Sequence, residues 1–390
     1  MRRLLFCLLV AGVATFGFAR GAAAYPQFQF SSGTNKCSQC HFAPAGGGLI
    51  SSWGRSEAGD TISMAGDGAF LHGAVSLPSW FAAGADLRLA ATRTADGGDQ
   101  SPQSAWFPMQ ADLYARFALG DQFSVYLEGG ARGEARPVDG SVTGHLFSDL
   151  GNRFISREHY LMWRPSATGP YARIGRFYAP YGLRFVEHIF FIRRYAGSEL
   201  YNETYTASGG YVSDEWELHL SAFTPPPTSF PDALSSLGAR ESGGAGYFEY
   251  RFNGMSALAA QARVGIGKEE SRYQGGAVGK LWIEKAKLLF LGEADYIIQN
   301  FSAASYTQNQ FVSYLGFTYF PVRGVMIGPA YERFQENLAV SGTGRNAYDL
   351  EINIFPYAHF EVVLFGRYMQ VGTQGQPAAT LMMAQLHYYL

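Results

Sequence analysis

The chain of 390 residues carries a formal net charge of −2, is 15% aromatic and only 16% charged, and holds 47 glycines and 3 cysteines. That balance gives no electrostatic reason to expect nucleic acid, and the cysteines are too few for a disulfide scaffold. Beyond residue 24 no window of roughly 18 residues is continuously apolar, which excludes helical membrane spans and leaves long strands with one apolar face.

Residues 1–24 read as a cleavable secretory signal, with Arg2 and Arg3, an apolar run over 4–18, and Ala22, Ala23 and Ala24 before the cut. The run is shorter than the roughly 20 residues a spanning helix needs. Cys7 lies inside it and follows Phe6 rather than a small residue, which argues against lipid anchoring, so it is expected to leave with the signal. The mature chain then begins at Tyr25 and keeps only Cys37 and Cys40.

Cys37-Ser38-Gln39-Cys40-His41 has the C-x-x-C-H order of a c-type haem site. Two thiols form thioethers to the macrocycle, and the next residue's imidazole reaches the iron without the ordering cost of a distant ligand. The expected cofactor is one covalent haem c, with His41 as proximal ligand. A dithiol, a disulfide or half a zinc site is the alternative, and no second cysteine pair exists to complete zinc. For the sixth position His72 is the first candidate, followed by Met64, a residue of the later chain or an open site. Ala45-Gly46-Gly47-Gly48 is a glycine turn rather than a phosphate loop, because no Gly-Lys-Ser or Gly-Lys-Thr follows. No G-x-S-x-G or H-E-x-x-H is present, so no hydrolytic residues stand out and the haem is the one reactive group expected.

Residues 25–79 hold few large apolar side chains and are too short to shelter a haem alone. This monohaem segment is expected to plug the mouth or lumen of the domain that follows.

From 80 to 390 apolar and polar residues alternate for about ten residues and then meet a turn, the signature of an outer-membrane β-barrel. Trp216, Leu218 and Leu220 oppose Glu217 and His219; Leu288, Phe290, Ala294 and Tyr296 oppose Lys287, Glu293 and Asp295. About sixteen segments are expected, antiparallel and all-β, with both chain ends in the periplasm. Short links fall near Gly120, Ser213, Asn253 with Gly254, Glu284, Pro321 and Pro356, and longer ones at 93–105, 134–155 and 225–242. The link over 178–203, with Phe190, Phe191, Arg193, Arg194 and Tyr195, is expected to fold inward, similar to the constricting loop of sixteen-stranded porins; His188 in it reads first as a structural histidine, with approach to the haem as the alternative. Arg88, Asp112, Arg116, Glu128, Arg132, Glu293 and Asp295 are expected to form a hydrated pore wall. The last strand, with Met382, Leu386, Tyr388 and Leu390 on one face, resembles the C-terminal strand of such barrels, although that strand usually ends in an aromatic residue.

An export signal, one N-terminal C-x-x-C-H preceded by Tyr25-Pro26-Gln27-Phe28, and a porin-like remainder resemble the outer-membrane cytochrome–porin fusions of iron-oxidising bacteria. The resemblance implies electron transfer across the outer membrane, with extracellular Fe(II) as donor and a periplasmic cytochrome as acceptor. Flow towards an outside acceptor, and whether the chain counts as an Fe(II) oxidase, are left open. Two other readings stand beside it: a porin for small solutes with a redox-gating haem plug, and a soluble haem-binding β protein of the periplasm.

Overall fold

The structure is a computed structural model, and it describes residues 28, 33, 35–95, 102–131, 136–137, 154–199, 202–226, 240–253, 255–302, 304–372 and 379–390. The signal over 1–24 and most of the 134–155 and 225–242 links lie outside these residues, as does Arg132.

Sixteen long strands form one closed antiparallel barrel. In chain order they are β1 Phe81–Ala95, β2 Gln103–Leu119, β3 Phe123–Ala131, β4 Phe154–Trp163, β5 Gly169–Phe177, β6 Thr204–Val212, β7 Trp216–Thr224 and β8 Ser242–Asn253. The second half is β9 Ser256–Ile266, β10 Glu270–Ile283, β11 Leu288–Phe301, β12 Tyr306–Tyr319, β13 Val325–Gln335, β14 Gly344–Tyr357, β15 Phe360–Val371 and β16 Ala379–Tyr389. Each pairs with its neighbour in sequence, and β1 closes on β16 in a register from Asp86 opposite Tyr389 to Ala95 opposite Thr380. A two-residue ribbon, Arg136–Pro137, pairs beside β2 without entering the ring. Closure leaves no open edge, so every strand's backbone groups are met by a neighbour.

The period-two pattern sorts side chains inside out relative to a water-soluble protein. In β9, Leu258 is 63% exposed while Arg263 on the other face is 7% exposed. Leu113, Ile174, Leu220, Leu315 and Met382 also face outward. An outer face this apolar is stable only in an apolar medium. Among the described residues no helix is long and apolar enough to cross a membrane; strands form this wall. Exposed aromatic side chains ring it near both rims: Trp80, Phe123, Phe252, Tyr319 and Tyr357 at one, and Tyr331, Tyr348 and Tyr368 in a cross-strand row nearer the other.

The tight turns after β2, β4, β6, β8, β10, β12 and β14 all lie at the end where β1 starts and β16 stops. At the other end most links are long, but β9 to β10 and β11 to β12 are joined as tightly as any short turn, a departure from the expected alternation. At the end of β16 Tyr388 and Leu390 are buried: Tyr388 packs on Phe360, and Leu390 N donates to Ala85 O at 3.0 Å.

The lumen holds two further pieces. The link between β5 and β6, here the inner loop, turns inward and forms the short helix α1, Phe191–Tyr195. Its Tyr181, Leu183, Phe185, Phe190, Phe191 and Ile192 make a buried cluster with wall residues Tyr314, Phe334 and Phe365. Residues 35–80 pack on the inner face and short-turn end: Met64 N donates to Phe355 O at 2.8 Å, and Arg323 Nη2 to Gly59 O at 2.7 Å.

Candidate functional site

Cys37–Cys40 form a single helical turn, α2, whose end is fixed by His41 N donating to Cys37 O at 3.0 Å. His41 then pairs as an antiparallel bridge with Ile50, so 42–49 is a closed loop that returns the chain beside the motif. Gly46, Gly47 and Gly48 within it have φ of +81°, +84° and +59°. A Cβ on Gly48 would strike the Tyr126 hydroxyl, and one on Gly46 would press on the Cys37 side chain. Only glycine permits this turn to close over the motif. The next helix, α3 Ser52–Glu57, is capped by Ser51 Oγ accepting from Gly54 N at 3.1 Å, and Gly54 lies flat against the Cys40 backbone.

Leu49 seats this loop in a buried pocket of wall residues from β1 to β5, among them Tyr114, Tyr126, Tyr160 and Phe177. Its amide donates to Tyr126 Oη at 3.3 Å, and Tyr126 in turn donates to Glu128 Oε2 at 3.0 Å. Arg164 Nη1 and Arg184 Nη1 donate to the carbonyls of Phe42 and Ala45 at 3.2 and 2.7 Å. The Arg116 guanidinium lies 4.5 Å above the Phe42 ring.

Cys37, Cys40 and His41 line one side of a cavity of about 230 Å³. Arg88, Arg157 and Arg173 form the wall side; Tyr181, Leu183 and Phe185 of the inner loop form the third. Both cysteines are half-buried, and neither is in a disulfide. The His41 ring is buried, and that burial lowers its pKa to about 4, against a smaller upward pull from the backbone at Gly48 and Gly47. It is therefore neutral near pH 7, the form that ligates iron, and its Nδ1 is buried without a hydrogen-bond partner of good geometry. Two thiols and a neutral imidazole on one side of this cavity fit the c-type haem that the motif implies. Among the described residues no three His, Cys, Asp or Glu side chains cluster as a metal site would require.

Arg184 was not foreseen. Burial opposes its charge, but Cys37, Tyr247 and Glu217 beside it raise its pKa above the ordinary value. The aromatic and basic composition of the inner loop was the one sequence signal for these walls.

The structure does not bring His72 to the cavity. It is exposed in a turn with φ of +52°, and its ring lies 5.3 Å from Tyr357 and 5.9 Å from His359. Met64 is also exposed, against Gly324 at the short-turn end. His188 is in the inner loop but not among the cavity walls. The expected pore-wall charges face inward, yet they are engaged rather than simply hydrated. Glu293 Oε2 accepts from Leu183 N at 2.6 Å, Asp295 Oδ1 from Tyr181 Oη at 2.6 Å, and Asp112 pairs with Arg157 at 3.3 Å. They hold the inner loop and the wall together because a loop inside a barrel must find partners for its backbone there.

No family model and no curated protein matches the chain. Among solved structures it is similar to an anion-selective porin from Comamonas acidovorans (11% identity, 79% of this chain and 98% of that one, TM-score 0.57). It is also similar to the outer-membrane OmpT of Vibrio cholerae (12%, 81% and 100%, 0.58) and to OprB of Pseudomonas putida (11%, 79% and 94%, 0.59). At these identities the likeness establishes the fold.

Proposed function

We propose that this chain is an outer-membrane c-type cytochrome that passes single electrons between an extracellular donor, Fe(II) being the expected class, and a periplasmic acceptor. The observation that carries the reading is the meeting of Cys37, Cys40 and His41 at a cavity between the barrel wall and the inner loop. A haem bound there supplies one-electron chemistry at its iron. Cys37 and Cys40 would tether it and His41 would ligate it. Leu183 and Phe185 in the cavity lining would exclude water from it, and Arg157 and Arg173 would offset its negative charge. Residues 35–80 act as the plug, stapled by the macrocycle they carry.

The filling of the lumen favours electrons over solutes. From Phe185 at the cavity, rings follow at 5.0 Å to Phe190 and 5.2 Å from Phe190 to Tyr314; farther along, Phe191 lies 5.6 Å from Tyr195, which stacks on Phe334 at 3.7 Å. This packed aromatic matter leads from the cavity along the inner loop. Among the described cavity walls His41 is the one histidine and no methionine appears, so neither His72 nor Met64 is placed to hold the haem. His72→Ala is accordingly expected to leave the haem spectrum unchanged.

The porin likeness favours a second reading, solute passage gated by the haem plug. Liposome swelling that differs between reduced and oxidised protein would establish it over conduction. The deciding experiment is a pyridine haemochrome assay followed by Fe(II) addition to purified protein. One covalent haem per chain, reduced by Fe(II), is expected. Absence of covalent haem overturns the reading, and haem reducible by other donors but not by Fe(II) removes iron alone.

A further inference from the structure

Behind the cavity wall lies a chain of buried acids that electron passage alone does not use. Asp86 and Arg88 of β1 line the cavity, with Arg88 Nε donating to Asp86 Oδ1 at 2.9 Å. His387 of β16 stands between two carboxylates, Nε2 3.1 Å from Asp86 Oδ1 and Nδ1 2.6 Å from Glu361 Oε2 of β15. Asn353 Nδ2 bridges onward, 2.9 Å from Glu361 Oε1 and 2.8 Å from Glu351 Oε1 of β14. From the inner loop Glu187 joins the group, its Oε2 buried without a hydrogen-bond partner.

Other charged and titratable groups border this set on each side. Asp112 of β2 faces Asp86, Asp349 of β14 faces Glu351, Tyr389 of β16 faces Glu361, Tyr314 of β12 faces Glu187, and Arg193 of the inner loop lies near Glu187. Asp112 and Asp349 are already paired, with Arg157 and Arg367. Around Asp86, Glu187, Glu351 and Glu361 stand Arg88, Arg193 and His387, and Arg193 gives its N–H groups to the carbonyls of Phe185, Val186 and Ser198. Four carboxylates in a site of low dielectric cannot all ionise against at most three positive charges, so the cluster holds at least one shared proton and has room for its exchange. Burial pushes Glu187 up to about 7, with Arg88 and Arg193 acting against it and Glu361 with it.

We infer that this cluster is a redox-linked proton site: when one electron enters the cavity from a one-electron donor, one proton from bulk water is taken up on a carboxylate oxygen of the cluster, and both leave when the electron passes on. The step rests on the haem reading above. Its physical reason is charge balance. Reduction adds one negative charge beside Asp86 and Arg88, and in a low-dielectric lumen that charge raises the proton affinity of every acid near it. No covalent bond forms or breaks other than O–H on the carboxylate.

The test is potentiometric titration of the haem-loaded, detergent-solubilised full chain from about pH 5.5 to 8.5, read by the visible spectrum. The midpoint potential is expected to fall with rising pH, approaching a tenfold change in the reduction equilibrium per pH unit, or 59 mV for one electron, around neutrality. Glu187→Gln is expected to flatten that slope, while the distant, exposed Glu336→Gln leaves it intact. If Glu187→Gln does not fold, His387→Gln and the wild-type titration still decide. A flat wild-type potential, or a slope unchanged in both Glu187→Gln and His387→Gln, overturns the inference while leaving the haem reading in place. A preparation with no covalent haem overturns both.

Discussion

The inner loop and the N-terminal segment share one lumen but are held by different physics. The inner loop buries large rings on the half of the wall from β8 to β16 and gives its backbone amides to wall carboxylate and carboxamide oxygens, as at Leu183 with Glu293 and Gly182 N with Gln261 Oε1 at 2.7 Å. The N-terminal segment meets β1 to β5 through Leu49, a left-handed glycine turn and arginine bonds to its carbonyls, meets the short-turn end through Met64 N and Gly59 O, and adds only Ala58 and Ile62 to the loop's cluster. The first is an integral part of the barrel, stabilised by apolar burial like any core. The second has few large apolar contacts, and under the proposed haem reading its stability would lean on the tethered group.

The largest test of this contrast removes the tether. Replacing Cys37 and Cys40 by serine should abolish covalent haem completely on a haem-stained gel and open residues 35–80 to protease, while the barrel still folds. A barrel that fails to assemble would mean the segment is as integral as the loop.

Next, truncation of one anchor in each region should act on different readouts. Phe191→Ala leaves a cavity in the loop's core and should cost about 3–5 kcal/mol in urea unfolding of the barrel. Leu49→Ala should scarcely move that transition but speed proteolysis of the segment. Equal barrel destabilisation by the two variants would erase the distinction.

The smallest effect is a pH dependence of the loop. Burial first, then Arg193 and Arg88, lower the His188 pKa from 6.5 to about 4. Between these values the unfolded chain binds a proton that the folded chain does not, so stability is lost as pH falls from 6.5 towards 4. Partial exposure of the ring reduces the contribution to about 1–2 kcal/mol. Glu187, with its raised pKa, works in the opposite direction, so the comparison is between wild type and His188→Gln, whose acid-side unfolding curve should be flatter. Identical curves would show that the loop does not desolvate His188.

The closed wall was legible because period-two alternation and turn spacing are local properties. Leu220 outward and Glu217 inward follow from neighbours in sequence, and so does the inward turn of the inner loop from its rings and arginines. His72 illustrates the limit. Its distance from the motif along the chain was short, but the backbone between them runs to the short-turn end, where His72 meets Tyr357 and His359 instead of the cavity. The inward acids were read as a hydrated wall for a related reason: sequence gives the face a side chain points to, not what occupies the space it points into.

By itself, then, the sequence determined the strands, their two faces, the inward loop and the Cys37, Cys40, His41 grouping, since each depends on residues within a few positions of one another. Only the tertiary structure decided which wall side chains meet that grouping, that Arg184 and Tyr181 face it, and that His387 stands between Asp86 and Glu361. Those meetings come from barrel closure, which sets β16 beside β1 across some three hundred residues of chain.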